Sequence, residues 1–140
     1  MSDNILNIEI VTPMKAVYSG LASSISVPGS QSPFQALVNH APIVSALDEG
    51  IIKIVEQDGT EQYFVSTTGF VEINKNQVSV LVEKADNAAS LDLSTLEAAL
   101  KKAEEKINMN TLDINAAEAA KAEIKSIALR IKAVSKLSVK

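Results

Sequence analysis

Residues 29–54 read GSQSPFQALVNHAPIVSALDEGIIKI, and the reading of this stretch decides the fold. A polar segment opens on Gly29-Ser30 and closes on His40-Ala41-Pro42. Two β-branched runs follow, Ile43 to Leu47 and Ile51 to Gln57, divided by Asp48-Glu49-Gly50. Short apolar runs punctuated by turn residues are strand signals, and no helical period competes with them here. The segment between Gly29 and Pro42 is therefore a shaped loop between strands, with Ala36 to Val38 a short extended piece inside it.

The same pattern extends outward in both directions. Upstream, Ile5 to Val11 alternates Leu, Ile, Ile against Asn, Glu, and Ile25 to Val27 runs into Pro28-Gly29. Downstream, Tyr63 to Thr67 pairs back across Asp58-Gly59, a dipeptide suited to a two-residue hairpin turn that needs positive φ. Phe70 to Ile73 and Val78 to Val82 form another pair around Asn74-Lys75-Asn76. Eight or nine such strands through residue 84 predict a small β-sandwich or flattened barrel.

After Lys84 the period changes from two to 3.6. Leu93, Leu96, Leu100, Ala103 and Ile107 fall three and four apart, leaving Lys101, Lys102, Glu104 and Glu105 for solvent, as in an amphipathic helix. Ser94 with Glu97, or Asp92 slightly earlier, supplies its start. Asn115 and Glu118 open a second helix whose stripe is Ala117, Ala120, Ile124, Ile127, Ile131 and Val134, and Asn108 to Ile114 reverses the chain between them. The expected architecture is α+β: a sandwich at 1–86, a linker at Asp86 to Ala89, and an antiparallel two-helix hairpin at 87–140. Alanine on the contact stripes buries little area, so the hairpin is expected to hold weakly and to exchange partners.

Composition removes several classes of function. The chain has 140 residues, no cysteine and one histidine, which excludes disulfides, thiolate sites and multi-histidine metal sites. No apolar run approaches the roughly 20 residues of a membrane span, and MSDNILNIEI lacks the basic and apolar regions of a signal peptide. Membrane contact is expected only through partners, with no direct insertion. The net charge of -4 divides unevenly: residues 1–87 carry 10 acidic and 4 basic side chains, residues 88–140 carry 7 and 9. Few aromatics and no basic cluster interleaved with them argue against nucleic acid.

Single residues invite sharper readings. His40 has no nucleophile and no acidic orienter at a recognisable spacing, so it reads as a structural or interfacial loop histidine. Gly29-Ser30 lacks the following helix of a phosphate cradle and reads as a turn. Phe34 marks either a binding surface or a side chain folded back on the sandwich. Lys121, Lys125, Lys132 and Lys136 share a helix stripe about 60° wide, either a solvated face or a docking face for an acidic partner.

The order and spacing of Tyr18-Ser19-Gly20, Gly29-Ser30, His40-Ala41-Pro42, Gly50 and Gly69-Phe70-Val71-Glu72-Ile73, ahead of a helical hairpin, resemble the epsilon-subunit family of the F-type ATP synthase, whose mitochondrial counterpart is called delta. The resemblance covers essentially the whole chain. It departs in the loop, where Ser32, Gln35, Val38 and Asn39 stand in place of further glycines and a Pro-Gly. It implies a noncatalytic central-stalk subunit whose sandwich binds the gamma subunit on one side. It also places Ser30, Gln31, Pro33, Phe34, Gln35 and His40 against the c ring. The hairpin would swing out along gamma, reach the alpha/beta catalytic hexamer through the four lysines, and impede ATP hydrolysis. The implied place is peripheral, on the cytoplasmic face of a bacterial inner membrane or the matrix side of the mitochondrial one. No cofactor is required. Some members bind ATP through Ile/Leu-Asp-x-x-Arg-Ala, and here Leu91-Asp92 is followed by Thr95 and Leu96 where Arg and Ala would stand. A nucleotide-sensing role centred on Asp92 is the alternative function, without the guanidinium best suited to phosphate.

Overall fold

The computed structural model describes residues 5–109 and 114–137, and it divides into two compact units, Met1–Asn87 and Ala88–Lys140. The first unit is built from nine strands: β1 (Leu6–Val11), β2 (Ala16–Val27), β3 (Phe34–Leu37), β4 (Ile43–Leu47), β5 (Gly50–Glu56), β6 (Glu61–Ser66), β7 (Gly69–Asn74), β8 (Gln77–Val82) and β9 (Ala85–Asn87). Their order is β4-β7-β8-β1-β2-β5-β6-β9, with β3 on β2. All pairings are antiparallel except β1 with β8.

β2 makes this a sandwich. Its first half pairs with β1 from Ala16 to Ala22, and its second half lies between β3 and β5. One 12-residue strand thus belongs to both layers. The handover occurs at a bulge: the register with β5 slips between Ala22 and Ser24, and burial moves from Ala22 and Ser24 to Ile25 and Val27. An extra residue bends the strand and re-aims its side chains. The Ser23 hydroxyl donates to the Val55 carbonyl at 3.2 Å across that irregularity. Ile8, Ile10, Val71 and Val80 from one layer and Ile25, Ile52, Ile54 and Phe64 from the other form a single buried core. Each such side chain stabilises by roughly 1.5–3 kcal/mol relative to exposure.

Two turns differ from the sequence expectation. Asp58-Gly59 belongs to a three-residue connection: the Gly59 N–H donates to Glu56 O at 2.9 Å, the Glu56 N–H to Thr60 O at 2.8 Å, and Gly59 has φ 92° while Asp58 has no positive φ. The two-residue turn with positive φ at both central positions is Lys75-Asn76, φ 52° and 65°. Two residues of the expected linker, Asp86 and Asn87, pair with β6 as part of β9 (Ala85–Asn87).

The second unit is a two-helix hairpin, α1 (Leu93–Met109) and α2 (Ile114–Leu137), preceded by a 3-10 turn at Ala88–Ser90. Asp92 rather than Ser94 caps α1. Its carboxylate accepts the Ser94 N–H at 3.2 Å and the Thr95 hydroxyl at 2.8 Å, the local bonding expected of an N-cap aspartate. Leu96, Ala103 and Ile127 pack together with Ala99, Leu100, Ile124, Ile131 and Val134. Leu93, expected to begin the stripe, is 41% exposed. The central part of the expected reversal, 110–113, and the Ile107 side chain lie outside the described residues.

Candidate functional site

The loop after β2 is tied down at several points. Gly29 forms an isolated bridge with Leu47, the Ser30 N–H donates to Ala46 O at 2.9 Å, and the Ser30 hydroxyl donates to Asp48 Oδ1 at 3.2 Å. Phe34 is half-buried against the core, and its ring faces that of His40 at 6.1 Å between centroids. His40 Nδ1 lies 2.7 Å from the Ala41 carbonyl, and the His40 N–H donates to Leu37 O at 3.1 Å. Gln31, Pro33 and Gln35 are exposed. Of the six residues expected at one interface, the structure brings Phe34 and His40 together and anchors Ser30 separately on β4. Asn39 takes φ 68°, the conformation a Pro-Gly turn would supply at the same place.

The sandwich carries a second surface that residue patterns alone did not single out. Strand register aligns Val11, Leu81, Phe70 and Ala46 across β1, β8, β7 and β4. Their strand neighbours Ile10, Val71, Val80 and Val82 point inward and are buried, so this row faces outward. Phe70 is 57% and Leu81 51% exposed. Beside the row lies a cleft of about 710 Å³ lined by Thr12, Pro13, Phe70, Leu81, Val82 and others. Gly69 makes the row possible, since a Cβ there would overlap the Leu81 carbonyl. The next row, about 7 Å along the strands, is Glu9, Ser79, Glu72 and Val44, with Val44 68% exposed. Two carboxylates therefore border an apolar band. The signal in the sequence is phase: Val11, Phe70 and Leu81 occupy the outward positions that Glu9, Glu72 and Ser79 share.

Tyr18-Ser19-Gly20, part of the family spacing, is a piece of β2. The Tyr18 hydroxyl donates to Glu56 Oε2 at 2.7 Å, and its ring meets Phe64 edge-on at 5.5 Å. Its hydroxyl lies over Gly20, where a Cβ would approach to 2.6 Å. Burial, and then the Glu56 carboxylate, push the Tyr18 pKa well above the usual phenol value.

Residues 5–88 match the family described as "ATP synthase, Delta/Epsilon chain, beta-sandwich domain". The chain belongs to the epsilon family of the F-type ATP synthase. The ATP synthase epsilon chain of Pelotomaculum thermopropionicum is 39% identical over 111 residues, spanning 79% of this chain and 82% of that one. That of Syntrophomonas wolfei is 30% identical over 136 residues, spanning 97% and 98%. The fold is shared with a chain in the Euglena gracilis mitochondrial ATP synthase, OSCP/F1/c-ring in rotational state 1, at TM-score 0.75, 18% identity, and coverage of 98% of this chain and 82% of that one. It is also shared with a chain in the Tetrahymena thermophila mitochondrial ATP synthase central stalk and c ring, at TM-score 0.57, 18% identity, and coverage of 92% and 96%.

In this epsilon-family chain the hairpin presents Lys121, Lys125 and Lys132 to solvent, with Lys136 half-buried. Asp92, the residue on which nucleotide binding would centre, has both carboxylate oxygens engaged in capping α1. No helix among the described residues is long and apolar enough to cross a membrane.

Proposed function

We propose that this ATP synthase subunit is a noncatalytic rotor element that joins ion-driven rotation of the c ring to the catalytic hexamer and restrains ATP hydrolysis through its hairpin. The observation that carries the reading is the outward band Val11, Leu81, Phe70 and Ala46 with its acidic border. An apolar row across four strands beside a cleft suits a permanent protein partner. Glu9 and Glu72, two strands or about 10 Å apart, suit basic residues on that partner. We assign this face to the gamma subunit. The exposed edge formed by Gln31, Pro33 and Gln35 is assigned to the c ring, with Ser30, Phe34 and His40 holding it in shape. In this reading the subunit is peripheral, on the cytoplasmic face of a bacterial inner membrane or the equivalent matrix side.

Regulation is assigned to the hairpin. Extended along gamma, it carries the lysine stripe of α2 toward acidic segments of the catalytic subunits, where ion pairs steer docking and apolar contacts retain it. The capping role of Asp92 and the missing arginine disfavour a nucleotide-sensing hairpin. The test is co-isolation of the chain with gamma and the c ring, followed by ATPase assay with the full chain and with residues 88–140 removed. Retention on the complex and faster hydrolysis on truncation are expected. A chain that fails to co-isolate with gamma overturns the reading.

A further inference from the structure

Asn39 and Asn76 stand 37 residues apart in sequence, and both hold left-handed backbone, φ 68° and 65°. Glycine adopts that conformation at less cost than any L-residue, so an asparagine at both positions calls for a use of its side chain. The use is visible. The Asn39 backbone N–H donates to Asn76 Oδ1 at 2.6 Å, and Asn76 Nδ2–H donates to Asn39 Oδ1 at 3.3 Å. The Asn76 carbonyl in turn accepts the Asn7 N–H at 2.8 Å. One residue of the β7–β8 turn thus fastens the turn after β3 to the start of β1. Asn39 belongs to the Leu37-to-His40 turn, closed by the His40 N–H on Leu37 O, and the next residue carries the imidazole that faces Phe34.

We infer that Asn76, acting through Asn39, is a positioning latch that fixes the exit of the β3 loop to the rigid β1/β7–β8 end of the sandwich, so that load received on the Gln31–Gln35 edge reaches the sheet instead of flexing the loop. The inference rests on the assignment of that edge to the c ring. The latch lies outside the contact surface: Asn76 sets where the edge stands and how stiffly it stands there. The two bonds are unequal. The shorter one uses the Asn39 backbone, so Asn39→Gly preserves it and Asn76→Gly removes both.

The experiment uses the assembled synthase in inverted vesicles, reading ATP-driven transport of the coupling ion per ATP hydrolysed, and hydrogen exchange at residues 37–41 of the full chain. Both glycine variants keep the positive φ and so keep the fold, which protection of Ile10, Ile52 and Val80 verifies. Asn76→Gly is expected to lower the transport-to-hydrolysis ratio about twofold and to speed exchange at the Asn39 amide about tenfold. Asn39→Gly leaves both near parental values. Asn76→Asp keeps an acceptor for the Asn39 N–H and restores the ratio. Gln35→Asp separates the two levels of the argument. If it lowers the ratio while Asn76→Gly does not, the latch is overturned and the c-ring assignment stands. If neither variant changes the ratio, both are overturned. Unchanged exchange at Asn39 in Asn76→Gly overturns the latch whatever the ratio does.

Discussion

Phe70 is the residue on which the assignment of the gamma-binding face turns. It projects from β7 between Leu81 and Ala46 and is 57% exposed, so a partner seated on the band removes that fraction of the ring from water. A phenylalanine side chain offers about 200 Å², and burying a little over half of it at ~25 cal/mol per Å² is worth about 2–3 kcal/mol. Phe70→Ala is therefore expected to weaken binding to a synthase depleted of this subunit by roughly 30- to 150-fold. Phe70→Asp adds a carboxylate beside Glu72 and weakens it further. The free chain should scarcely notice either change, because the ring points away from the core: its unfolding free energy should move by about 0.5 kcal/mol or less. The assay is a titration of fluorescently labelled chain against the depleted complex, with denaturant unfolding of the same variants in parallel. A dissociation constant within twofold of the parent for Phe70→Ala, with the fold intact, refutes the assignment. Loss of binding accompanied by unfolding shows that the outward orientation was misjudged.

Three further outcomes are expected. Replacing Lys121, Lys125, Lys132 and Lys136 together with Gln raises ATP hydrolysis by the whole complex and flattens the salt dependence of inhibition. Each exposed pair is worth only about 0.2–1 kcal/mol, so the combined variant is the informative one, and parental hydrolysis rates across a range of ionic strength count against electrostatic docking. Tyr18 has a raised pKa in the fold, so its contribution is complete below the unfolded phenol value of about 10 and is lost as pH rises above it. Tyr18→Phe should lose about 1 kcal/mol near neutrality and show a shallower alkaline decline in stability, and a variant curve parallel to the parent's would contradict this. Residues 1–87 alone should give a cooperative β-rich thermal transition by circular dichroism, and an unfolded fragment would mean that the units share a core.

The layout of strands was legible where side chains carried it. β1, β4, β5, β7 and β8 are rich in isoleucine and valine and stand close to where alternation put them. β2 was not: Ser19, Gly20, Ala22, Ser23 and Ser24 have no β-branched signature, and pairing with β1 along the first half and with β3 and β5 along the second makes this stretch a strand. β9 escaped notice because Asp86 and Asn87 look like linker residues, and β6 supplies the partner that extends them. The turn at Asp58-Gly59 was placed correctly and typed wrongly, since dipeptide preference does not register which backbone pair closes the hairpin. The loop was recognised by Gly29-Ser30 and His40-Ala41-Pro42, yet its anchoring depends on Asp48, Ala46 and Asn76, which no local pattern connects to it. The outward band was present only as apolar residues in a polar phase, a signal that register converts into a row.

The strand shared by both layers has a mechanical consequence. In a sandwich joined only by loops and side-chain packing, one sheet can loosen while the other stays formed. Here a continuous backbone of 12 residues, about 40 Å long when extended, is hydrogen-bonded to β1 at one end and to β3 and β5 at the other. Neither sheet can fray inward past Ala22 without removing an edge from its partner. The β-unit is therefore expected to open as one cooperative block, which matching hydrogen-exchange protection of Ile10 and Ile52 on opposite layers would verify. In the proposed role, where one neighbour turns this body and it turns another, the stiffness that matters is carried along a covalent chain rather than across a packed interface.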